Sequence, residues 1–146
     1  MSASGIAEVK RLWAQNPLKY FSSHELLTMG GSHYARRSKN SSVDFARAGD
    51  LYRIAVVANE VRQRFGFPML IVSGFRSRKY NQFVGGAPRS YHLRGRALDF
   101  IPVHPGRLSH LKEVASAYQA EGEIGGLGFY KTFVHIDNGP RRNWGR

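Results

Sequence analysis

Apolar residues between positions 44 and 65 recur at Leu51, Ile54, Ala55, Ala58, Val61 and Phe65, the spacing of one helical face, with Gly66 following as a stop. A shorter helix is predicted over residues 4–15, where Ile6, Val9, Leu12 and Trp13 share a side and serines precede it as caps. Residues 22–28 form a further brief helical turn, capped by Ser22 with Glu25 three positions on, and residues 108–118 a helix packed on the surface. The continuous apolar run Met69–Ser73 reads as a buried strand. In residues 97–101 the period falls to two: Leu98 and Phe100 turn to a core, and Ala97 and Asp99 take the opposite face. Residues 126–130 and 133–137 make a last hairpin with Lys131 and Thr132 at its turn, which sets His135 and Asp137 together on one strand face. Residues 29–42, rich in Gly, Ser and basic side chains, read as a loop. The sum is an α+β domain.

Composition sharpens this picture. With 146 residues and 42% hydrophobic content the chain suits a single domain, 1–146, with its own core. It has no internal repeat and no apolar run of about 20 residues to span a bilayer. The first residues lack the basic-then-apolar pattern of a secretory signal, so export by that route is not expected. Without cysteine, disulfides and thiolate metal sites are excluded. The formal charge of +12 draws the chain toward polyanions in a salt-sensitive way. Nucleic acid, anionic envelope polymers and a wall rich in free carboxylates all satisfy that field. Arg36, Arg37 and Lys39, and Arg141, Arg142 and Arg146, read as solvated basic positions, and His24, His33, His104 and His110 as surface or packed histidines.

The chemistry concentrates in two segments, residues 90–99 (SYHLRGRALD) and 133–137 (FVHID). They supply His92, Asp99 and His135, two imidazoles and a carboxylate. Zinc favours such donors, and a catalytic zinc site uses three protein ligands and keeps a fourth position open. Gly95 lets the chain turn back so that His92 and Asp99 can meet at one ion.

The pattern S-x-H-x-x-G-x-A-x-D followed by H-x-D resembles the zinc D-Ala-D-Ala metallopeptidase family, in particular its small single-domain branch of bacterial and phage cell-wall enzymes. The likeness extends over residues 18–144, leaving 1–17 as an N-terminal helical segment. It takes in FSSHEL at 21–26, VSGFRS at 72–77 with Tyr80 and Asn81, VGGAPRS at 84–90, GGLGFY at 125–130 and FVHIDNGPRRNW at 133–144. It implies a hedgehog/D-Ala-D-Ala metallopeptidase-like fold, a small antiparallel sheet with flanking helices. It also implies one zinc ion on His92, Asp99 and His135, with Arg76 gripping a substrate carboxylate through paired hydrogen bonds and Ser90 near the substrate backbone.

Many relatives place an acidic residue or histidine two or three positions before the last ligand as general acid and base. Here Thr132 and Phe133 stand there, and neither can shuttle a proton. Asp137 is the candidate in their place, since it shares a strand face with His135 and can reach water at the metal or orient the histidine. Glu121 and Glu123 are alternatives. The function so implied is zinc-dependent hydrolysis of peptide bonds in peptidoglycan stem peptides or cross-links by a monomer, as an endolysin-type endopeptidase. A D-Ala-D-Ala carboxypeptidase fits Arg76 equally well. Such an enzyme is made in the cytoplasm and acts on the wall or periplasm, through phage lysis or as part of a virion. Two other classes remain: an inactive zinc-containing wall-binding domain, and a basic nucleic-acid-binding module, which the lack of any reading motif disfavours.

Overall fold

Asp44 begins the longest helix by accepting a hydrogen bond from Arg47 N at 3.0 Å, and Gly66, in the left-handed region at φ 80°, ends it. This element, Phe45–Phe65, is α3 in a computed structural model that describes residues 2–28, 40 and 43–145. Two helices precede it, α1 (Ser2–Gln15) and α2 (Ser23–Thr28). The loop expected at 29–42, with His33, Arg36, Arg37 and Lys39, lies outside the described residues except for Asn40, as does Arg146. The buried face of α3 consists of Ala48, Leu51, Ile54, Ala55, Ala58, Val61 and Phe65, the expected stripe with Ala48 added. Helix α1 lies along it through Val9 and Trp13, whose Nε1 donates to Phe21 O at 3.2 Å. Each large side chain buried in this way contributes about 1.5–3 kcal/mol.

The chain then forms β1 (Met69–Ser73), α4 (Arg78–Phe83), β2 (Ala97–Pro102), α5 (Leu108–Ala120), β3 (Gly126–Phe129), β4 (Val134–Asp137) and β5 (Arg142–Gly145). The strands make one sheet in the order β1-β2-β4-β3-β5. Leu98, Phe100, Val134, Ile136 and Leu127 send their side chains into a core shared with α3 and α5. At the β1 edge, Glu25 of α2 accepts from Ile71 N at 3.1 Å, which occupies a backbone donor that an edge strand otherwise leaves open.

The α+β class and the four expected strands stand as read, with boundaries shifted by a residue or two. The sheet differs in being mixed, because β5 pairs parallel to β3. The reason is geometric: β4 ends at Asp137 opposite Gly126, where β3 starts, and only four residues connect it to β5. Arg142 therefore lands beside Gly126 on the other side of β3, and the chain can only run in the direction of β3. The segment expected as a loop around His92 is a short 3-10 turn, Tyr91–Arg94, and α4, capped by Ser77, was not foreseen. No helix among the described residues is long and apolar enough to cross a membrane.

Candidate metal centre

Two rows of the sheet build the site. Across the strands, Asp99 of β2 pairs with His135 of β4, which pairs with Gly128 of β3 and through it with Trp144 of β5. Two residues along, Ala97 pairs with Asp137, which leads to Gly126 and Arg142. Residues two apart share a strand face, so both rows point the same way. The small residues in them make room. A Cβ on Gly126 would meet the Asp137 carboxylate at 2.4 Å and the Arg142 guanidinium at 2.6 Å, and one on Gly128 would meet the Trp144 ring at 2.5 Å.

His92 arrives from outside the sheet. Ser90 Oγ caps its turn by accepting from His92 N at 3.2 Å, and Gly95, at φ 66°, closes the turn and returns the chain into β2. His92, Asp99 and His135 are 2%, 4% and 8% exposed, and their donor atoms lie within 4.8 Å of one another. This group can hold a metal ion.

The hydrogen bonds around the group fix which atoms face inward. His92 Nδ1 lies 2.7 Å from the carbonyl of Gly74, and because a carbonyl only accepts, that nitrogen carries the proton. Burial holds the His92 pKa below its ordinary value despite the opposing pull of Asp99, so the ring is neutral. Its Nε2 lone pair then faces Asp99 Oδ1 at 3.2 Å, acceptor against acceptor. Such a contact is relieved by a cation placed between the two atoms, and this is how the residues fit a metal. His135 is set the other way round. Its Nε2 donates to Asp137 Oδ2 at 2.8 Å, which leaves Nδ1 directed at Asp99 Oδ1, 2.9 Å away. Burial opposes a charge on this ring, but hydrogen bonds and attraction from Asp137 and Asp99 outweigh it and push its pKa up to about 9. Desolvation works to raise the Asp99 pKa, yet the hydrogen bond and charge of His135 outweigh it and keep the carboxyl ionised.

Asp137 is fully buried. Its Oδ1 accepts from Gly126 N (3.0 Å), Gly139 N (2.9 Å) and Arg142 (3.1 Å), and its Oδ2 from His135 and Arg142 (2.9 Å). Five donors occupy its lone pairs. Burial again opposes the charge, but His135 and Arg142 keep the carboxyl ionised. Such a group locks the tautomer of a ligand histidine and has no free lone pair with which to accept a proton from water.

Arg76 spends three of its five N–H groups within the protein, on Ser73 Oγ (3.1 Å), Asn81 Oδ1 (3.1 Å) and Asp99 Oδ2 (3.3 Å). It braces Asp99 from the β1 side and keeps two donors for a ligand. A cavity of about 450 Å³ opens over the group, lined by Arg76, Ser90, His92, Asp99, His135 and Asp137 together with an aromatic wall. In that wall Tyr130 stacks on Phe133 at 4.2 Å, and Trp144 lies 5.2 Å from the His135 ring and donates to the Tyr130 hydroxyl at 2.8 Å. Thr132 is exposed at the hairpin turn, Glu121 pairs with Arg64 at the end of α5, and neither Glu121 nor Glu123 lines the cavity. Sequence reasoning overlooked Arg142, Trp144 and Tyr130. Arg142 was one of five arginines read as solvated, although its two-residue spacing from Trp144 is a strand signal.

Comparison with known proteins agrees with this geometry. A peptidase M15 family model matches residues 25–137. The chain is 34% identical over 116 residues to the peptidoglycan L,D-endopeptidase MepK of Escherichia coli (strain K12), covering 75% of this chain and 58% of that protein. It is 35% identical over 82 residues to the probable peptidoglycan L,D-endopeptidase MepK of Haemophilus influenzae, covering 51% of this chain and 41% of that one. The chain thus spans about 58% of the length of the first of these relatives.

Proposed function

Because the chain belongs to the peptidase M15 family, we propose that it is a zinc-dependent endopeptidase cutting L,D peptide bonds of peptidoglycan. The observation that carries this is the contact of His92 Nε2 with Asp99 Oδ1, two acceptors meeting where His135 Nδ1 also converges, at the floor of an open cavity. His92, Asp99 and His135 hold a single zinc ion. Bound there, it supplies Lewis acidity for a water nucleophile and for the scissile carbonyl.

The remaining residues bind and orient. Asp137, fixed by Arg142 and two backbone amides, keeps the proton of His135 on Nε2 and the lone pair of Nδ1 toward the metal. Its shared strand face with His135 suggested Asp137 as general base, but the five donors converging on its carboxylate favour a positioning role. Arg76 offers its two unspent N–H groups to a substrate carboxylate, and Ser90 holds the turn of His92 while its side chain faces the cavity. The aromatic wall of Tyr130, Phe133 and Trp144 excludes water from one side and gives the peptide an apolar surface to lie on. The endopeptidase reading is preferred to a carboxypeptidase because the Escherichia coli relative named above is an L,D-endopeptidase.

The test is mass spectrometry of purified peptidoglycan fragments incubated with zinc-loaded protein, with a chelated control. Chelator-sensitive products broken at an L,D bond support the reading. Release of a terminal D-alanine alone would replace it with a carboxypeptidase, and intact fragments at full zinc occupancy with a wall-binding domain.

A further inference from the structure

Beside the metal cavity, and sharing Arg76, Arg89 and Ser90 with it, lies a second cavity of about 470 Å³ whose charged lining among the described residues is basic. Among the described residues Arg47, Arg76, Arg78, Arg89 and Arg94 face it, and no carboxylate does. Two of the five have acidic partners nearby, since Arg47 pairs with Asp44 and Arg76 with Asp99. Arg78, Arg89 and Arg94 form no ion pair among the described residues; Arg94 only lies over the Tyr91 ring, at 5.5 Å. Elsewhere on the surface Arg11 pairs with Glu8, Arg53 with Asp50 and Arg64 with Glu121, whereas the exposed Arg107 lies over the Phe67 ring. Three unmatched guanidinium groups around one concavity repel one another, and the arrangement is relieved by an anion.

The position of this pocket says which anion. Its walls are the chain after β1, which delivers Arg76 and Arg78, and the turn that carries His92, which delivers Arg94 with Arg89 just ahead of it. The metal group and the basic pocket are therefore two sides of one short turn, and a bound chain that crosses the Arg76–Ser90 boundary occupies both. A guanidinium takes a carboxylate through two parallel hydrogen bonds. We infer that the arginine pocket is a distal substrate subsite that recognises a free carboxylate of the stem peptide, separate from the group held by Arg76. The inference rests on the peptidase reading above and adds the substrate class: peptides with free carboxylates at more than one position, in preference to amidated ones.

Two peptides containing the scissile L,D bond test it, identical except that the carboxylate away from that bond is free in one and a carboxamide in the other. Their affinities for zinc-loaded protein are measured by calorimetry, and products are followed in parallel, for the wild type and for Arg78→Gln/Arg89→Gln. Zinc content reports that the double variant keeps its fold and metal site. The expected result is an affinity preference of about tenfold or more for the free carboxylate at low salt, falling to twofold or less in the double variant. Equal affinities in the wild type, or a preference that survives the double substitution, would overturn the subsite. A glycerol phosphate oligomer is the third ligand. If it binds more tightly than the carboxylate peptide and loses that affinity in the double variant, the pocket belongs to a phosphate polymer and the assignment fails. The affinity ratio is read whether or not turnover occurs, so absence of products counts against the endopeptidase reading alone.

Discussion

His135 stands directly opposite Asp99 in the β2–β4 ladder, its Nδ1 2.9 Å from Asp99 Oδ1. Two of the three candidate ligands are thus spaced by sheet hydrogen bonding, and only His92 depends on a turn. Replacing His92 or Asp99 by alanine is expected to abolish zinc binding, as measured by metal content after dialysis. Normal occupancy in either variant would remove that residue from the ligand set.

Asp137→Asn distinguishes support from proton transfer. An asparagine keeps the shape but weakens the grip on His135 Nε2, so zinc affinity should fall about 10–100-fold, with activity partly regained at high zinc. Were Asp137 the base, zinc affinity would stay near that of the wild type while kcat collapsed at saturating metal. A competition titration against a chelator, paired with kcat at excess zinc, separates the two.

The metal-free protein should bind zinc in a pH-dependent way. His135 is raised from an ordinary 6.5 to about 9. A raised pKa means that its protonated form stabilises the metal-free fold fully below about 6.5, and that this contribution is lost as pH rises through about 9. Zinc must displace that proton. Its apparent affinity should therefore increase about tenfold per pH unit on approaching 9 from below, with release of about one proton per ion. An affinity that is flat between about pH 7 and 8.5 contradicts this.

Zinc should also stabilise the fold. At a free concentration about 100 times the dissociation constant, the gain is about 2.7 kcal/mol. For a domain of this size that raises Tm by about 5–10 °C. Differential scanning calorimetry with and without chelator measures it, and a Tm indifferent to zinc argues against binding to the native state.

Gly126→Ala tests the crowding beneath the site. The added methyl meets the Asp137 carboxylate and the Arg142 guanidinium, both held by hydrogen bonds, so neither can yield freely. A loss of about 1–3 kcal/mol in urea unfolding is expected, with weaker zinc binding. Unchanged stability would mean that the Asp137–Arg142 contact is looser than described.

Much of this architecture was legible because its signals are local. The α3 stripe, the Gly66 stop and the alternation at Leu98, Asp99 and Phe100 each follow from a period of 3.6 or 2, and the two motifs brought His92, Asp99 and His135 to one point. What was hidden depends on pairings distant in sequence. Nothing within residues 142–145 says that they lie along β3, yet that pairing turns Arg142 from a solvated charge into a clamp on Asp137. The sequence left Asp137 open between base and support, because sharing a face with His135 suits both. The backbone amides of Gly126 and Gly139, which saturate the carboxylate, come from β3 and from the turn after β4.

The strand order separates two kinds of position. Asp99 and His135 occupy interior strands, flanked on both sides, where a substitution disturbs two ladders at once. Arg142 and Trp144 lie on the β5 edge, and Arg76 and Arg78 follow the β1 edge. A substitution at the margins of the sheet can therefore reshape the wall of the cavity while both ladders that hold Asp99 and His135 stay intact.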